Sequence, residues 1–391
     1  MVFRLLAPWL AAVLAFSHPS AAGDSGAGAP EDKFTGEVVI GATLPLTGKF
    51  DYYGQSAYYG ALTRARLINE KGGVAGKRLV IEWRDNGSDT GQATRDIEEL
   101  VSKFQVLAVI GPLLSDSVIA AIPTAKRLRI PLISPLASAD IVTVDNAWVF
   151  RVCYGNSPQA AALANFQIEK YGAKTCGIIY DSNYFFSAEF PSVFQGKFAA
   201  LGGKVVAIAS FRDENGEKDY EKALRFVAAK NPDFIFAPSY ALEATELIHA
   251  SKELGISTRF CGPETWDNEL LFEGAGTRLA GTCFTSVIYE EALRYRPFQE
   301  FMREIQNAGM DEPDAQAASA YDAVSLLALA AEKADSPAAL RDRLAGFRNL
   351  NLATGRMSVD KELNIVKPVL IRVVERKGNR MMPVYAERYD P

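Results

Sequence analysis

The chain has 391 residues, 48% of them hydrophobic, and a formal net charge of −5, enough for two globular domains or one large one. An acidic chain without a basic stripe argues against nucleic acid as a partner. Two histidines and four cysteines, with no CxxC pair, nearly exclude a His-rich zinc site or a Ser-His-Asp hydrolase.

The N-terminus reads as a secretory signal peptide. "MVFR" supplies one positive charge, "LLAPWLAAVLAF" is too short to span a bilayer stably, and "SHPSAA" ends in small residues at the cleavage-defining positions. Residues 1–22 are assigned to that signal, and 23–35, beginning "GDSGAGAPEDK", to a flexible leader. An uncleaved anchor is the alternative. No Cys follows the cleavage region until Cys153, which speaks against a lipid anchor. Cleavage removes Arg4 and takes the net charge from −5 to −6. Export permits disulfides, and Cys153, Cys176, Cys261 and Cys283 allow three connectivities, with at most one or two bridges or with buried free thiols.

The rest alternates strand and helix patterns. "GEVVIGATLPL" reads as a buried strand, Tyr53 to Lys71 as a helix that "KGGVAG" stops, and "KRLVIEWRD" as a strand. "TGQATRDIEELVSKF" is an amphipathic helix, "VLAVIGP" a strand, "SVIAAIPTAKRLRI" a helix, "PLISPLAS" a strand and loop, and "WVFRVC" a strand. The same grammar restarts at "KTCGIIYD" and runs to "TRFCGPE". Two such series predict an α/β protein with two doubly wound parallel-sheet lobes. Two helices, "RPFQEFMREIQNAG" and "AQAASAYDAVSLLALAAEKA", and a hairpin-like tail from Gly355 then break the alternation, so the chain crosses between lobes more than once.

Ligands of open parallel sheets sit beyond the carboxyl ends of the strands. The loops there are "PLTGKFDYYG", "GPLLSDS", "SPLASAD", "YDSNYFFS", "APSYALE" and "GPETWDN". The first three offer hydroxyls; the others offer Tyr, Trp and acids. None is GxGxxG after a strand or GxxxxGK[ST], and "GAGTRLAG" lacks the strand–turn–helix context of a phosphate site, so no cofactor is expected. His249, outside the signal the lone histidine, falls inside a helical pattern and reads as a solvated side chain rather than a general base. No pair of loop acids is singled out for glycosidase chemistry, and no catalytic or metal-binding residue is assigned.

The loops and their order resemble one family closely. "VVIGATLPLTGKFDYYGQSAYYGALTRARLINEKGGVAGKRLVIEWRDN", then "VIGPLLSDS", "IPLISPLAS", "IIYDSNY", "PDFIFAPSY", "SKELGI", "GPE" and "SAYDAVSLLALAAEKA" are similar to type I periplasmic binding proteins. The specific likeness is to the branched-chain amino-acid (Leu/Ile/Val) binding family of ABC importers, over Glu37 to Lys377.

The resemblance implies a two-lobed clamp with three crossovers, with lobe 1 at 36–153 and 287–360 and lobe 2 at 154–286 and 361–391. It implies a monomeric periplasmic receptor, not an enzyme, that passes an amino acid to an ABC permease. Ser115 would bind the ligand carboxylate through hydroxyl and amide, and Ser138 would contact both carboxylate and ammonium. Leu136 would offer its carbonyl to the ammonium, with Glu264 as countercharge from the other lobe; Tyr53, Tyr184 and Tyr240 would wall the ligand. A helix N-terminus offers unpaired amides to a carboxylate, and carbonyl and carboxylate oxygens suit an ammonium.

On the residues alone, Ser115 fits a helix N-cap as well as a ligand donor, Ser138 a turn, and Glu264 a solvated loop acid. Trp266 either walls the pocket or caps the lobe. Asp116 departs from the family's small neutral residue, and a carboxylate beside a carboxylate site is unfavourable unless it points to solvent. Phe185 and Phe186 replace glycines and are expected to narrow or reshape the pocket, and Ser88 and Leu114 stand where the family has a cysteine pair. Beside the amino-acid receptor stand two alternatives. One is a clamp that senses an amide or aromatic acid for a protein partner; the other, the poorest, is an exported hydrolase.

Overall fold

The computed structural model describes residues 34–214, 217–288, 295–310, 313–378 and 380–390. The proposed signal peptide and the leader as far as Lys33 lie outside the described residues.

The first sheet is built from β1 (Glu37–Leu44), β2 (Arg78–Asp85), β3 (Val109–Ile110), β4 (Leu132–Ser134) and β5 (Val149–Arg151), all parallel in the order β2-β1-β3-β4-β5. Helices α1 (Asp51–Glu70), α2 (Thr90–Phe104) and α3 (Ser115–Leu128) connect these strands. Consecutive residues Ile40 to Leu44 of β1 are buried, so both faces of this central strand are covered.

The second sheet restarts the pattern: β6 (Thr175–Asp181), β7 (Lys204–Phe211), a short hairpin of β8 (Asp213–Glu214) and β9 (Glu217–Lys218), then β10 (Phe234–Phe236), β11 (Arg259–Gly262) and β12 (Cys283–Ser286). Its helices are α4 (Asn156–Tyr171), α5 (Phe185–Ala200), α6 (Tyr220–Ala228), α7 (Ala241–Glu253) and α8 (Glu269–Ala275). The parallel strands run β12-β11-β10-β6-β7, the winding of the first sheet again. The expectation of two doubly wound lobes holds.

The tail closes both lobes. α9 (Arg296–Asn307) and α10 (Ala315–Ala331) return to the first lobe, where α10 packs on α1. A Cβ at Gly60 would stand 2.0 Å from the Ala317 carbonyl oxygen, so only glycine allows that approach. Asp314 caps α10, accepting from the amides of Gln316 and Ala317 at 3.1 and 3.0 Å. After α11 (Pro337–Ala345), β13 (Leu350–Leu352), β14 (Gly355–Val359) and β15 (Ile365–Val366) form a small antiparallel sheet. β16 (Val369–Lys377) and β17 (Arg380–Tyr389) then add an antiparallel hairpin to the edge of the second sheet, beside β12. The chain thus changes lobe after β5, between β12 and α9, and between β15 and β16. Cys261 and Cys283, paired in register on neighbouring strands, form a disulfide, while Cys153 and Cys176 are buried free thiols.

Candidate functional site

In each sheet the winding reverses beside the first strand of its series, between β1 and β3 and between β6 and β10. Loops after those strands diverge there and leave a crevice. The loop after β1 carries Lys49 and Phe50, that after β3 leads into Ser115, that after β6 ends at Tyr184 and that after β10 at Tyr240.

The rings of the two lobes meet on Tyr240. Its centroid lies 4.7 Å from that of Phe50, 5.7 Å from Tyr53, 5.1 Å from Tyr184 and 4.5 Å from Phe186. The Tyr53 hydroxyl donates to the Thr265 carbonyl at 2.7 Å and accepts from the Ala241 amide at 3.0 Å, both on the second lobe. The three tyrosines singled out from sequence therefore come together. Phe186 joins them, whereas Phe185 leaves its ring exposed and does not narrow the crevice.

On the first lobe Ser115 is the first residue of α3 and 2% exposed. Leu114 occupies the N-cap position, so the N-cap alternative for Ser115 is displaced. The Ser115 hydroxyl accepts from the Ala139 amide at 3.2 Å, which leaves its own proton to donate. Leu114 gives the first turn of α3 no side-chain cap, so the turn's amides face outward as donors apart from that of Asp116, which the residue's own carboxylate engages. Ser138 and Leu136 are buried in the neighbouring loop; the Ser138 carbonyl accepts from Arg151 and from the Asn156 amide. Ser138 is thus more than a surface turn residue.

On the second lobe Glu264 opens a short 3-10 turn after β11 and is 1% exposed. Its position overturns the solvated-acid alternative. Its amide donates to the Gln159 side chain at 2.9 Å. Burial pushes this carboxyl well above the usual range; Lys367 (buried on the third crossover), the Tyr154 amide and the Cys153 thiol pull the other way. Trp266, two residues on, is wholly buried.

Two further contacts span the lobes. Lys49 Nζ lies 3.0 Å from the Glu243 carboxylate and donates to the Tyr184 hydroxyl at 2.7 Å. Burial works against the lysine's charge, but Tyr184 and Glu243 more than offset it, so its pKa is raised. Asp116 is half-buried, and its two oxygens accept from the Phe185 amide at 3.2 Å, at the start of α5 on the other lobe. The acid thus has a donor of its own across the crevice. Burial raises the Asp116 carboxyl, an effect the Phe185 amide partly offsets. Ser88 holds the first lobe's loop differently from a disulfide, accepting from the Phe50 amide and donating to the Thr47 carbonyl.

His249 is half-buried on α7 with Nε2 2.9 Å from the Gly274 carbonyl. Among the described residues no group of three or more His, Cys, Asp or Glu could hold a metal ion. No helix among them is long and apolar enough to cross a membrane. Sequence reasoning missed Lys49, Glu243 and Arg151. Arg151 had one visible signal, a charge inside the apolar run "VFRVC".

A family model, periplasmic binding protein, matches residues 37–378. The Leu/Ile/Val/Thr-binding protein of Salmonella typhimurium is 25% identical over 331 residues, 84% of this chain and 88% of that one. A leucine-binding protein from Thermotoga maritima superposes with a TM-score of 0.82 at 26% identity, over 90% of this chain and 99% of its own. The branched-chain amino acid transporter substrate-binding protein of Streptococcus pneumoniae, solved in complex with isoleucine, gives a TM-score of 0.81 at 27% identity, over 89% of this chain and 99% of its own.

Proposed function

This chain belongs to the periplasmic binding protein family, and from that premise we propose that it captures an amino acid, branched-chain or otherwise aliphatic, between its lobes and delivers it to an ABC permease. Its place would be the periplasm, reached through a cleaved signal peptide, and it would act as a monomer that binds without catalysis. Its relatives' names speak of Leu, Ile, Val and Thr as ligands.

One observation carries most weight. Glu264 is a buried carboxylate whose charge is disfavoured by burial more strongly than Lys367, the Tyr154 amide and the Cys153 thiol together offset. Such a group is costly unless a cation meets it. An α-ammonium group is the cation an amino acid brings, while Ser115 and the open end of α3 on the other lobe suit its carboxylate. Only a closed clamp satisfies both ends, so ligand would stabilise closure. Leu136 and Ser138 would complete the first-lobe side of the site, with Tyr53, Tyr184 and Tyr240 as its wall.

A thermal-shift screen of the purified mature protein against amino acids, amides and aromatic acids tests this. A ligand at 100 times its Kd stabilises the native state by about 2.7 kcal/mol. Stabilisation by leucine, isoleucine or valine is expected. Stabilisation by aromatic acids or amides alone would move the sensing clamp ahead.

A further inference from the structure

Four consecutive carbonyls of the loop after β4 converge on one side chain. Arg151, the last residue of β5, is 1% exposed. Its Nη1 donates to the carbonyls of Ser138 and Ala139 at 2.9 Å each and of Ala137 at 3.3 Å, and its Nη2 to that of Asp140 at 3.0 Å. Thr143 Oγ1 takes Nη2 at 2.8 Å, and Asn364 Oδ1, just before β15, takes Nε at 3.0 Å. Among the described residues no carboxylate forms an ion pair with this guanidinium, so peptide dipoles are its direct partners.

A planar trans peptide presents its C=O and its N–H in opposite directions. Drawing the carbonyls of Ala137, Ser138 and Ala139 onto Arg151 therefore turns the amides of Ser138, Ala139 and Asp140 away from it. Two of these amides show where they go. Ala139 donates to the Ser115 hydroxyl at 3.2 Å, which leaves the hydroxyl proton free to turn elsewhere, and Asp140 donates to the Glu189 carboxylate of α5 at 2.8 Å. The Leu136 carbonyl, one residue upstream, is outside the reach of Arg151.

We propose that Arg151 is a positioning residue that divides this loop by polarity. It sets the Ser138 amide and, through the Ala139 amide that fixes its oxygen, the Ser115 hydroxyl side by side as a donor row for the ligand's carboxylate, and it leaves the Leu136 carbonyl for the ammonium. The identity of the ligand, though not the donor row itself, rests on the amino-acid reading above. Lysine at this position keeps the charge, but its single ammonium replaces a planar fork and cannot hold four carbonyls in the same directions.

The test measures Kd for leucine and leucinamide by calorimetry in wild type, Arg151→Lys and Arg151→Gln, with circular dichroism and melting to verify the fold. The preference for the acid over the amide should fall about tenfold or more in Arg151→Lys, since charge-assisted hydrogen bonds to the carboxylate are what is lost. A purely structural role would weaken both ligands by the same factor, and that result, like no change in either, overturns the proposal. Arg151→Gln should lose at least as much selectivity; where it fails to fold, Arg151→Lys decides alone. Acetate provides a probe independent of ligand identity, read from the backbone amide NMR signals of Ser138 and of Ala139, whose amide holds the Ser115 hydroxyl. Signals that move with acetate in wild type and stay still in Arg151→Lys support the donor row even where leucine does not bind, in which case only the amino-acid reading falls. Signals that leucine and acetate both leave unmoved in wild type overturn the donor row.

Discussion

The two faces of the crevice are built from opposite chemistry on the same winding. The first lobe presents Ser115, Ser138 and the unpaired amides of α3, with hydroxyl and backbone groups dominating. The second presents carboxylates and rings: Asp181, Glu243 and Glu264 with Tyr184 and Tyr240. Identical sheet topology therefore fixes where a ligand is held but not which end of it each lobe holds. On the proposed reading that assignment comes from side chains at a handful of loop positions, with the carboxylate's donors on the first lobe and the ammonium's countercharge on the second.

The comparison breaks most sharply at Glu264. Glu264→Gln keeps the shape and removes the charge, so a ligand ammonium loses its buried partner. Removing one member of such a pair costs on the order of 3–5 kcal/mol, or a few hundred-fold or more in affinity. Leucine should weaken by that factor and 4-methylpentanoate, its des-amino analogue, hardly at all; calorimetry on both ligands checks this. Equal losses for the two, or none, would remove the acceptor role from the second lobe. Protons should give the same asymmetry. Burial raises the Glu264 carboxyl in the unliganded protein, and an ammonium binds the ionised form. Leucine affinity is therefore greatest above the free-protein pKa and falls by up to about tenfold per unit as pH drops below it. The des-amino analogue should be flat over pH 5 to 8, and Glu264→Gln should flatten leucine as well.

The first lobe offers a smaller effect, because its donors are several. Ser115→Ala removes one hydroxyl that faces a carboxylate and leaves the helix amides in place. A hydrogen bond to a charged group contributes about 1.5–3 kcal/mol, so affinity should fall roughly tenfold to a hundredfold, for leucine and for 4-methylpentanoate alike. A loss confined to leucine would mean that Ser115 serves the ammonium, and the polarity of the lobes would be reversed.

The lobes, the alternation and the loops at strand ends are legible in the sequence because periodicity and turn residues are local properties. Strand β1 reads from "VVIGATL" and α3 from "SVIAAIPTAKRL" without any knowledge of partners. Contacts between lobes are another matter. Asp116 reads as an awkward acid beside Ser115 until the Phe185 amide, 69 positions away, is brought to it. The disulfide between Cys261 and Cys283 depends on β11 and β12 being neighbours in register, which no spacing rule supplies. Arg151 looks like one charge in an apolar strand, and only the folding back of 137–140 gives it a purpose. Glu264 was found through the order of family motifs; the residues alone read as a solvated loop acid.

Lys49 tests whether closure can be separated from recognition. It belongs to the loop after β1, and both its partners, Glu243 and Tyr184, belong to the second lobe. Its side chain is 34% exposed and that of Glu243 is 0% exposed, so the pair straddles the rim with its acid turned inward. Lys49→Met leaves Glu243 without that cation in the closed form, and opening the lobes rehydrates it. The expected result is a shift toward the open form by about 1 kcal/mol, the scale of a half-exposed pair. Because that shift acts on the conformational equilibrium and not on ligand atoms, every ligand should weaken by the same factor, roughly fivefold. Small-angle scattering should find the free variant larger than free wild type, while saturating ligand brings the two to one radius of gyration. Adding Glu243→Gln to Lys49→Met should recover part of the loss, since an amide tolerates the closed rim better than a carboxylate that has lost this cation, and the double-mutant cycle measures the coupling. A change in the ratio of leucine to 4-methylpentanoate affinity in Lys49→Met would show instead that Lys49 touches the ligand, and the rim would then belong to the recognition surface.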